Sequence, residues 1–482
     1  MSASFYFYDL ETSGFNPRQQ RIMQFGGQRT DMDLNPVGEP DNFLIKLTED
    51  VLPDPEAVLL TGITPQKTLA EGVTEAEFLK VFASQIAMPG TIFVGYNNVR
   101  FDDEFMRFIH YRNFYDAYEW QWQGGRSKWD LLDVVRMTRA LRPAGINWPV
   151  NEKGQATNRL ELLTKLNNLD HDNAHDALAD VMATISVAKL IREKQPKLFD
   201  FLLEMRDKKK IAPLVLGDQP FIYASGKYAN EFEKTTVATA IAEHPQKKGA
   251  LVYDLRHDPA EFAELSPKEL AERWSYTKDG KAPPRLPVKT LQFNHCPALA
   301  PLGVLDSASQ RRLNLDLKLI EANRAKLKQV NSDFAAKVLE ALKILDDSRQ
   351  KKYASEPKSV DGQLYDGFFS DADRQVERQI QNSKPEEVAS IAEGFRDERL
   401  KKLLPLYKAR NFSASLTDEE RSAWEQYRRT KLLAGGKQSR LAQYVASLQT
   451  IASETTLNKT QEYLLEELKL YAEAIMPTAA DA

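Results

Sequence analysis

An unbroken apolar run, Phe5-Tyr6-Phe7-Tyr8, passes directly into the alternating pattern Asp9-Leu10-Glu11-Thr12. Successive strand side chains point to opposite faces, so residues two apart share a face. The pattern predicts a buried strand over 5–10 whose end projects the Asp9 and Glu11 carboxylates together. Further strand-like runs follow at 22–29, 42–47 and 91–94, with helical periodicity over 75–86, 159–166 and 177–192. In the last of these Val181, Ile185 and Ala188 form one apolar stripe. Strands alternating with helices predict an α/β layered fold for residues 1–195.

The pattern changes at Gln195-Pro196. Short strand-like runs at 214–216, 221–224, 250–253 and 288–293, punctuated by Pro and Gly, predict a small β-rich unit. Helical spacing follows over 307–328 and 334–346. The polar stretch 347–362, with Lys351, Lys352, Pro357 and Lys358, reads as a linker. Beyond it the chain is almost entirely helical, with amphipathic spacing over 395–404, 417–432, 439–453 and 459–474. Pro405 is expected to end the first of these. The expected units are thus 1–195, 196–346 with appended helices, the linker 347–362, and a helical region 363–482.

Two carboxylates on one strand face repel unless a positive charge sits between them. A hard cation such as magnesium, which prefers oxygen ligands, resolves this; a shared proton or a solvated strand end are the alternatives. A second acid, Asp102, follows the strand 91–95 in Gly95-Tyr96-Asn97-Asn98-Val99-Arg100-Phe101-Asp102, where it could equally cap the next helix. A third cluster is His175-Asp176-Ala177-Leu178-Ala179-Asp180. His175 and Asp180 would stand about 140° apart on a regular helix. His175 is therefore placed on the loop leading into the helix, with Asp180 one turn in; a purely structural histidine is the competing reading. Asp103 and Glu104 are read as helix caps, Asp130 and Asp133 as structural, and Asp176 as a cap.

The ordered set Asp-x-Glu, Asn-x-x-x-Phe-Asp and His-x4-Asp, with Leu60-Thr61-Gly62-Ile63-Thr64 between the first two, resembles the DEDD exonuclease superfamily in its His-containing branch. Over nearly the whole length the chain is similar to the bacterial exodeoxyribonuclease I family. The similarity is carried by residues 95–103, Tyr111-Arg-Asn-Phe-Tyr115, Trp129-Asp-Leu-Leu-Asp133, Leu141-Arg-Pro143 and Gly145-Ile-Asn-Trp-Pro149. It continues in Gln363-Leu-Tyr365, Gly367-Phe-Phe-Ser-Asp-Ala-Asp-Arg374 and Ala409-Arg-Asn-Phe412.

The resemblance implies a ribonuclease H-like exonuclease domain, an SH3-like domain and an all-helical C-terminal domain. It implies 3′→5′ hydrolysis of single-stranded DNA to 5′-mononucleotides, in DNA repair and recombination, with two Mg2+ ions (Mn2+ is the other option). Asp9 would bridge the ions, Glu11 and Asp180 would hold the first, Asp102 would support the second, and His175 would be the general base. An imidazole suits that role because its ordinary pKa is near neutral. The aromatic run 111–122, with Arg112 and Tyr115, and Asn97 beside the carboxylates are candidates for holding the strand. Enzymes of this family also bind the acidic C-terminal tail of single-stranded DNA-binding protein, and Arg142 is the candidate for receiving its carboxylate. Arg312, Lys326 and Lys328 read as a solvated basic helix face.

Charge narrows this picture. The net charge is −4, with 20 Lys+Arg against 27 Asp+Glu in residues 1–195 and 45 against 42 in the remainder. A globally basic, non-specific DNA binder is excluded, and any DNA contact must be a local groove. The single cysteine, Cys296, forms no internal disulfide and fits a reducing cytoplasm. No apolar run approaches the ~18 residues needed to span a bilayer, and no membrane partner is expected. A monomer is the default, since no heptad stands out. An RNA 3′-end trimming nuclease or a proofreading subunit would share the motif residues but would need only the first region. A non-catalytic adaptor would not need the intact carboxylate set.

Overall fold

The structure is a computed structural model that describes residues 3–171, 175–275, 283–355, 359–454 and 456–477. The first region is built on a five-stranded sheet in the order β3-β2-β1-β4-β5. Its strands are β1 (Ser4–Thr12), β2 (Ile22–Thr30), β3 (Asp41–Leu44), β4 (Thr91–Gly95) and β5 (Ser127–Asp130). β1 runs antiparallel to β2 and parallel to β4, which runs parallel to β5. The apolar run in β1 has no polar alternation because both its faces are covered. Phe5 and Phe7 join Ile92, Val94 and Trp129 beneath the helix Ala177–Lys194. Tyr6, Tyr8 and Leu10 join Phe25, Phe78, Phe82 and Trp120 on the other side.

The second region holds an antiparallel sheet in the order β10-β6-β7-β8-β9. Its strands are β6 (Phe221–Ala224), β7 (Thr235–Glu243), β8 (Gly249–Asp254), β9 (Val288–Gln292) and β10 (Ala298–Pro301). Ile222, Val237, Leu251 and Tyr253 on one face of it belong to the same core cluster as the first-region helix Leu131–Leu141, so the two regions share a core. Residues 214–216, expected as strand, instead end the helix Lys208–Leu216, where Val215 is buried. β7 and β10 escaped the sequence reading because alternating Ala and Thr, and a short run ending in Pro301, carry weak strand signals.

A single helix, Leu317–Ser355, corrects the expected break after Lys328 and the first part of the expected linker 347–362, of which Pro357 and Lys358 lie outside the described residues. Phe334, Val338 and Ala341 carry the helix past the expected break by packing on the second sheet's core. Past them, Tyr353 is fixed by the Arg18 guanidinium over its ring and by a 2.9 Å bond from its hydroxyl to Asp366. Pro405, expected to end a helix, lies inside Glu398–Asn411. It is exposed, so the carbonyl it leaves unbonded can meet water, while Leu403, Leu404, Leu406 and Tyr407 hold the helix by burial.

The helical region is joined to the first region by a buried ionic cluster. Arg410 bonds both Asp50 and Asp361 at 2.7 Å, Arg21 reaches Asp361 at 3.2 Å, and Lys431 also reaches Asp50. Arg112 pairs with Glu75 at 2.8 Å beside it. Burial opposes the Asp361 charge, but Arg410, Arg21 and Lys431 hold its carboxyl far below the usual range. Removing one member leaves the others buried and uncompensated. Asp361→Ala should therefore lower unfolding free energy by about 3–5 kcal/mol in a urea titration; a loss under about 1 kcal/mol would mean the cluster is wetter than its geometry implies.

Candidate active site

Asp9 and Glu11 sit where β1 outruns β4, whose last paired residue, Val94, is opposite Phe7. On the other edge Asp9 pairs with Gly26 and Glu11 with Gln24, and the register breaks immediately after Glu11. The same-face prediction holds: both acids share the face of Phe5 and Phe7, under the start of the helix Ala177–Lys194. Gly26 is what lets that helix approach, since a Cβ there would lie 2.5 Å from the Ala177 carbonyl carbon. Gln24 ties the helix start down. Its Nε2 donates to Asp176 at 2.8 Å and its Oε1 accepts from the Ala177 N–H at 3.1 Å. Asp176 in turn caps the helix by accepting from the Ala179 N–H.

His175 lies on the loop before that cap, with a left-handed φ of +69°. One ligand atom from each of Glu11, His175 and Asp180 lies within 4.8 Å of the others. Asp102 opens the helix Asp102–Arg112 from the end of β4 and is buried.

The electrostatics separate these acids from Asp103, although the structural Asp130 is also raised, to about 6, by burial and Asp133. Burial, then Asp102, Asp180 and Asp176, push the Asp9 carboxyl well above its usual range. Burial, then Asp9, push Glu11 up to about 9. Asp102 and Asp180 are also raised, chiefly by burial, with His171 and His175 pulling Asp180 partly back. Asp103 is as deeply buried as Asp102, yet Lys128 at 2.6 Å, Arg107 and the Tyr8 hydroxyl outweigh burial and lower it. It is a framework acid, not the helix cap expected from sequence, and Glu104 likewise pairs with Arg107 rather than capping. Asp130 caps Leu132 and holds the Asn97 N–H, and Asp133 pairs with Arg100 and Arg136, as expected of structural acids. An oxygen-rich set with one imidazole and too little positive charge fits a divalent cation.

Three family profiles match successive parts of the chain. Exonuclease covers residues 6–188, Exonuclease I SH3-like domain 206–343, and Exonuclease I C-terminal domain 358–475. The exodeoxyribonuclease I of Haemophilus influenzae is 41% identical over 475 residues, covering 97% of this chain and 98% of that protein. That of Escherichia coli is 40% identical over 488 residues, covering 98% of each. The chain belongs to the exodeoxyribonuclease I family. Solved structures agree: exonuclease I from Methylocaldum szegediense superposes with a TM-score of 0.89 at 42% identity. Escherichia coli exonuclease I bound to a dA16 oligonucleotide superposes at 0.90 and 39%. Both comparisons cover 98% of this chain and 100% of the other. As a member of this family the chain is a 3′→5′ exonuclease whose nuclease domain depends on divalent metal. The ribonuclease H-like, SH3-like and helical architecture follows the same order.

The structure does not bring every expected residue to this site. Arg112 is 2% exposed and committed to Glu75 and the Pro17 carbonyl, so it has no surface from which to touch a strand. Tyr115 is half-buried against His110 and lines a different cavity, with Arg126 and Arg374. Asn97 is correctly at the β4 exit, half-buried, with a left-handed φ of +75°. Arg142 stands 38% exposed at the end of the helix Leu131–Leu141, bonding the Val304 carbonyl 3.6 Å from Asp306. Arg312 is drawn inward to Glu233 and the Arg139 and Ala140 carbonyls, whereas Lys326 and Lys328 pair on the surface with Asp258 and Asp218.

A cavity of about 420 Å³ that includes Asp9 and Asp180 is lined by Arg136, Arg159, Asn230 and Lys234, none of which the sequence singled out. Asn230 and Lys234 come from the second region, so no local spacing could have linked them to Asp9. His171, also passed over, sits four residues before His175 and bonds Asp180.

A carboxyl whose folded pKa exceeds its unfolded value loses stability as pH rises between the two. For Glu11 that window runs from about 4.5 to about 9. In EDTA, Tm should fall across it more steeply than in Glu11→Gln. Added Mg2+ should raise Tm by an amount that grows with pH, because binding releases these protons. A metal-induced gain that shrinks as pH rises would remove these carboxylates as ligands.

Proposed function

We propose that this chain removes 5′-mononucleotides from the 3′ end of single-stranded DNA, using two Mg2+ ions, in cytoplasmic DNA repair and recombination. The observation that carries this reading is the convergence of four raised carboxylates, Asp9, Glu11, Asp102 and Asp180, of which Asp9 and Asp180 open on a cavity also lined by the cations Arg136, Arg159 and Lys234. Asp9, Glu11 and Asp180 would hold one ion, and Asp9 with Asp102 the other. When bound, the pair supplies charge neutralisation at the phosphate and at the attacking and leaving oxygens. His175 accepts the proton of the attacking water, its loop position bringing the ring to Glu11 and Asp180. The cations hold the phosphate backbone, and Asn97 orients the terminal nucleotide.

Escherichia coli exonuclease I has been solved with dA16 and dT13 oligonucleotides, in zinc-bound and metal-free DNA complexes, and as an SSB/exonuclease I structure with an inhibitor. By this relationship the acidic tail of single-stranded DNA-binding protein is the partner of Arg142. The full-length match favours the DNA enzyme over an RNA trimmer, which would share only the first region.

The test is 5′-labelled single-stranded DNA, duplex DNA and single-stranded RNA, each with Mg2+ and with EDTA. Stepwise Mg2+-dependent shortening of the single-stranded DNA is expected. His175→Ala should lower kcat by about 10²–10⁴-fold with DNA binding retained. Preferential cutting of RNA would overturn the substrate, and an unchanged kcat would remove His175 as the base.

A further inference from the structure

We infer that His171 is a positioning residue that fixes the Asp180 carboxylate for cation binding. The inference rests on Asp180 being a metal ligand, as proposed above. The His171 Nε2 lies 2.6 Å from Asp180 Oδ1. A carboxylate only accepts, so Nε2 carries the proton and donates. The opposite ring nitrogen, Nδ1, lies 3.1 Å from Thr164 Oγ1. Thr164 is fully buried on the helix Leu160–Leu166, and its hydroxyl is also 3.0 Å from the Leu160 carbonyl oxygen. The imidazole is therefore gripped at both nitrogens, with its side chain only 4% exposed. A ring so held cannot swing out to a substrate, which separates it from His175.

An isolated aspartate on a helix turn rotates freely about its last torsion, which is broad and roughly two-fold. The His171 ring removes that freedom from Asp180 by holding Oδ1 at 2.6 Å. The carboxylate is only 19% exposed, yet one of its oxygens still lies within 4.8 Å of ligand atoms from Glu11 and His175. Thr164, His171 and Asp180 thus form a relay from the helix Leu160–Leu166 to the ligand, built like the outer-shell hydrogen bonds that aim metal-binding groups. Loss of such a partner typically costs about 10–100-fold in metal affinity.

The experiment measures Mn2+ binding to the full chain without DNA, by calorimetry and by the electron paramagnetic resonance signal of free ion. Exonuclease kinetics are run as a function of Mg2+. His171→Ala should weaken Mn2+ binding by about 10–100-fold and raise the Mg2+ needed for half-maximal rate in parallel. At saturating Mg2+ its kcat should return to within about threefold of the parent, with KM for the oligonucleotide unchanged, as for loss of a binding rather than a transition-state contact. His171→Gln, whose amide can place an N–H near the Nε2 position, should restore most of the affinity. Thr164→Val, which frees the ring without removing it, should cost less than His171→Ala and serves if that variant is poorly folded.

Unchanged Mn2+ affinity in both His171→Ala and Thr164→Val would overturn the inference. So would a kcat that stays low in His171→Ala at saturating Mg2+ with normal Mn2+ affinity, which would make His171 the proton acceptor itself. Asp180→Asn is measured alongside. If it binds Mn2+ as tightly as the parent, Asp180 is not a ligand, and the failure belongs to the site assignment on which this inference stands.

Discussion

The structure depends on holding like charges together. Asp9, Glu11, Asp102 and Asp180 converge in a place where burial and mutual repulsion both oppose their ionisation. Two like charges about 4 Å apart cost about 4 kcal/mol at an effective dielectric of 20. No local segment would adopt this arrangement by itself. It is imposed by the double-sided core of β1, which fixes which face Asp9 and Glu11 take, and by Gly26 and Gln24, which seat the helix carrying Asp180 against that face. The core supplies the free energy, and the unbalanced charge is what makes the site a receptor for cations.

The same chain handles buried charge in the opposite way at the junction with its helical region. There Asp50, Asp361 and Glu75 are matched by Arg21, Arg112, Arg410 and Lys431 at bonding distance. A matched buried cluster contributes little net free energy relative to apolar packing, but it penalises any misassembly that leaves a member unpaired. The contrast recurs within one dipeptide. Asp102 and Asp103 are both buried, yet only Asp103 has Lys128 and Arg107 beside it. Function follows from which acid is left without a partner.

This distinction explains what could be read from the sequence. Asp9 and Glu11 were legible because strand periodicity alone puts them on one face, and His175 because five residues cannot share a helix face with Asp180 unless one leaves the helix. The assignment of Asp102 over Asp103 came from family resemblance; spacing could not have separated them. The ionic cluster was illegible, since Arg21 and Asp361 are 340 positions apart. The long helix Leu317–Ser355 was misread for a related reason: the polar residues after Lys328 look like a break until Phe334 and Val338 are seen to pack on a sheet formed elsewhere in the chain.

Arg112 shows the limit most clearly. An arginine within a run of tyrosines and phenylalanines has the composition of a strand-binding surface, yet its guanidinium is consumed by Glu75. Arg136, Arg159 and Lys234 have no such compositional signal, yet they line the cavity with Asp9 and Asp180. Composition reports which charges a segment carries, whereas recognition of a phosphate chain depends on which charges the fold leaves uncommitted beside the carboxylates. Arg136 and Arg159 are intermediate cases, since Arg136 already bonds Asp133 at 2.5 Å and Arg159 pairs with Glu161. Lys234, by contrast, is brought to the cavity by the second region, which makes that region part of the site and not merely an attachment to it.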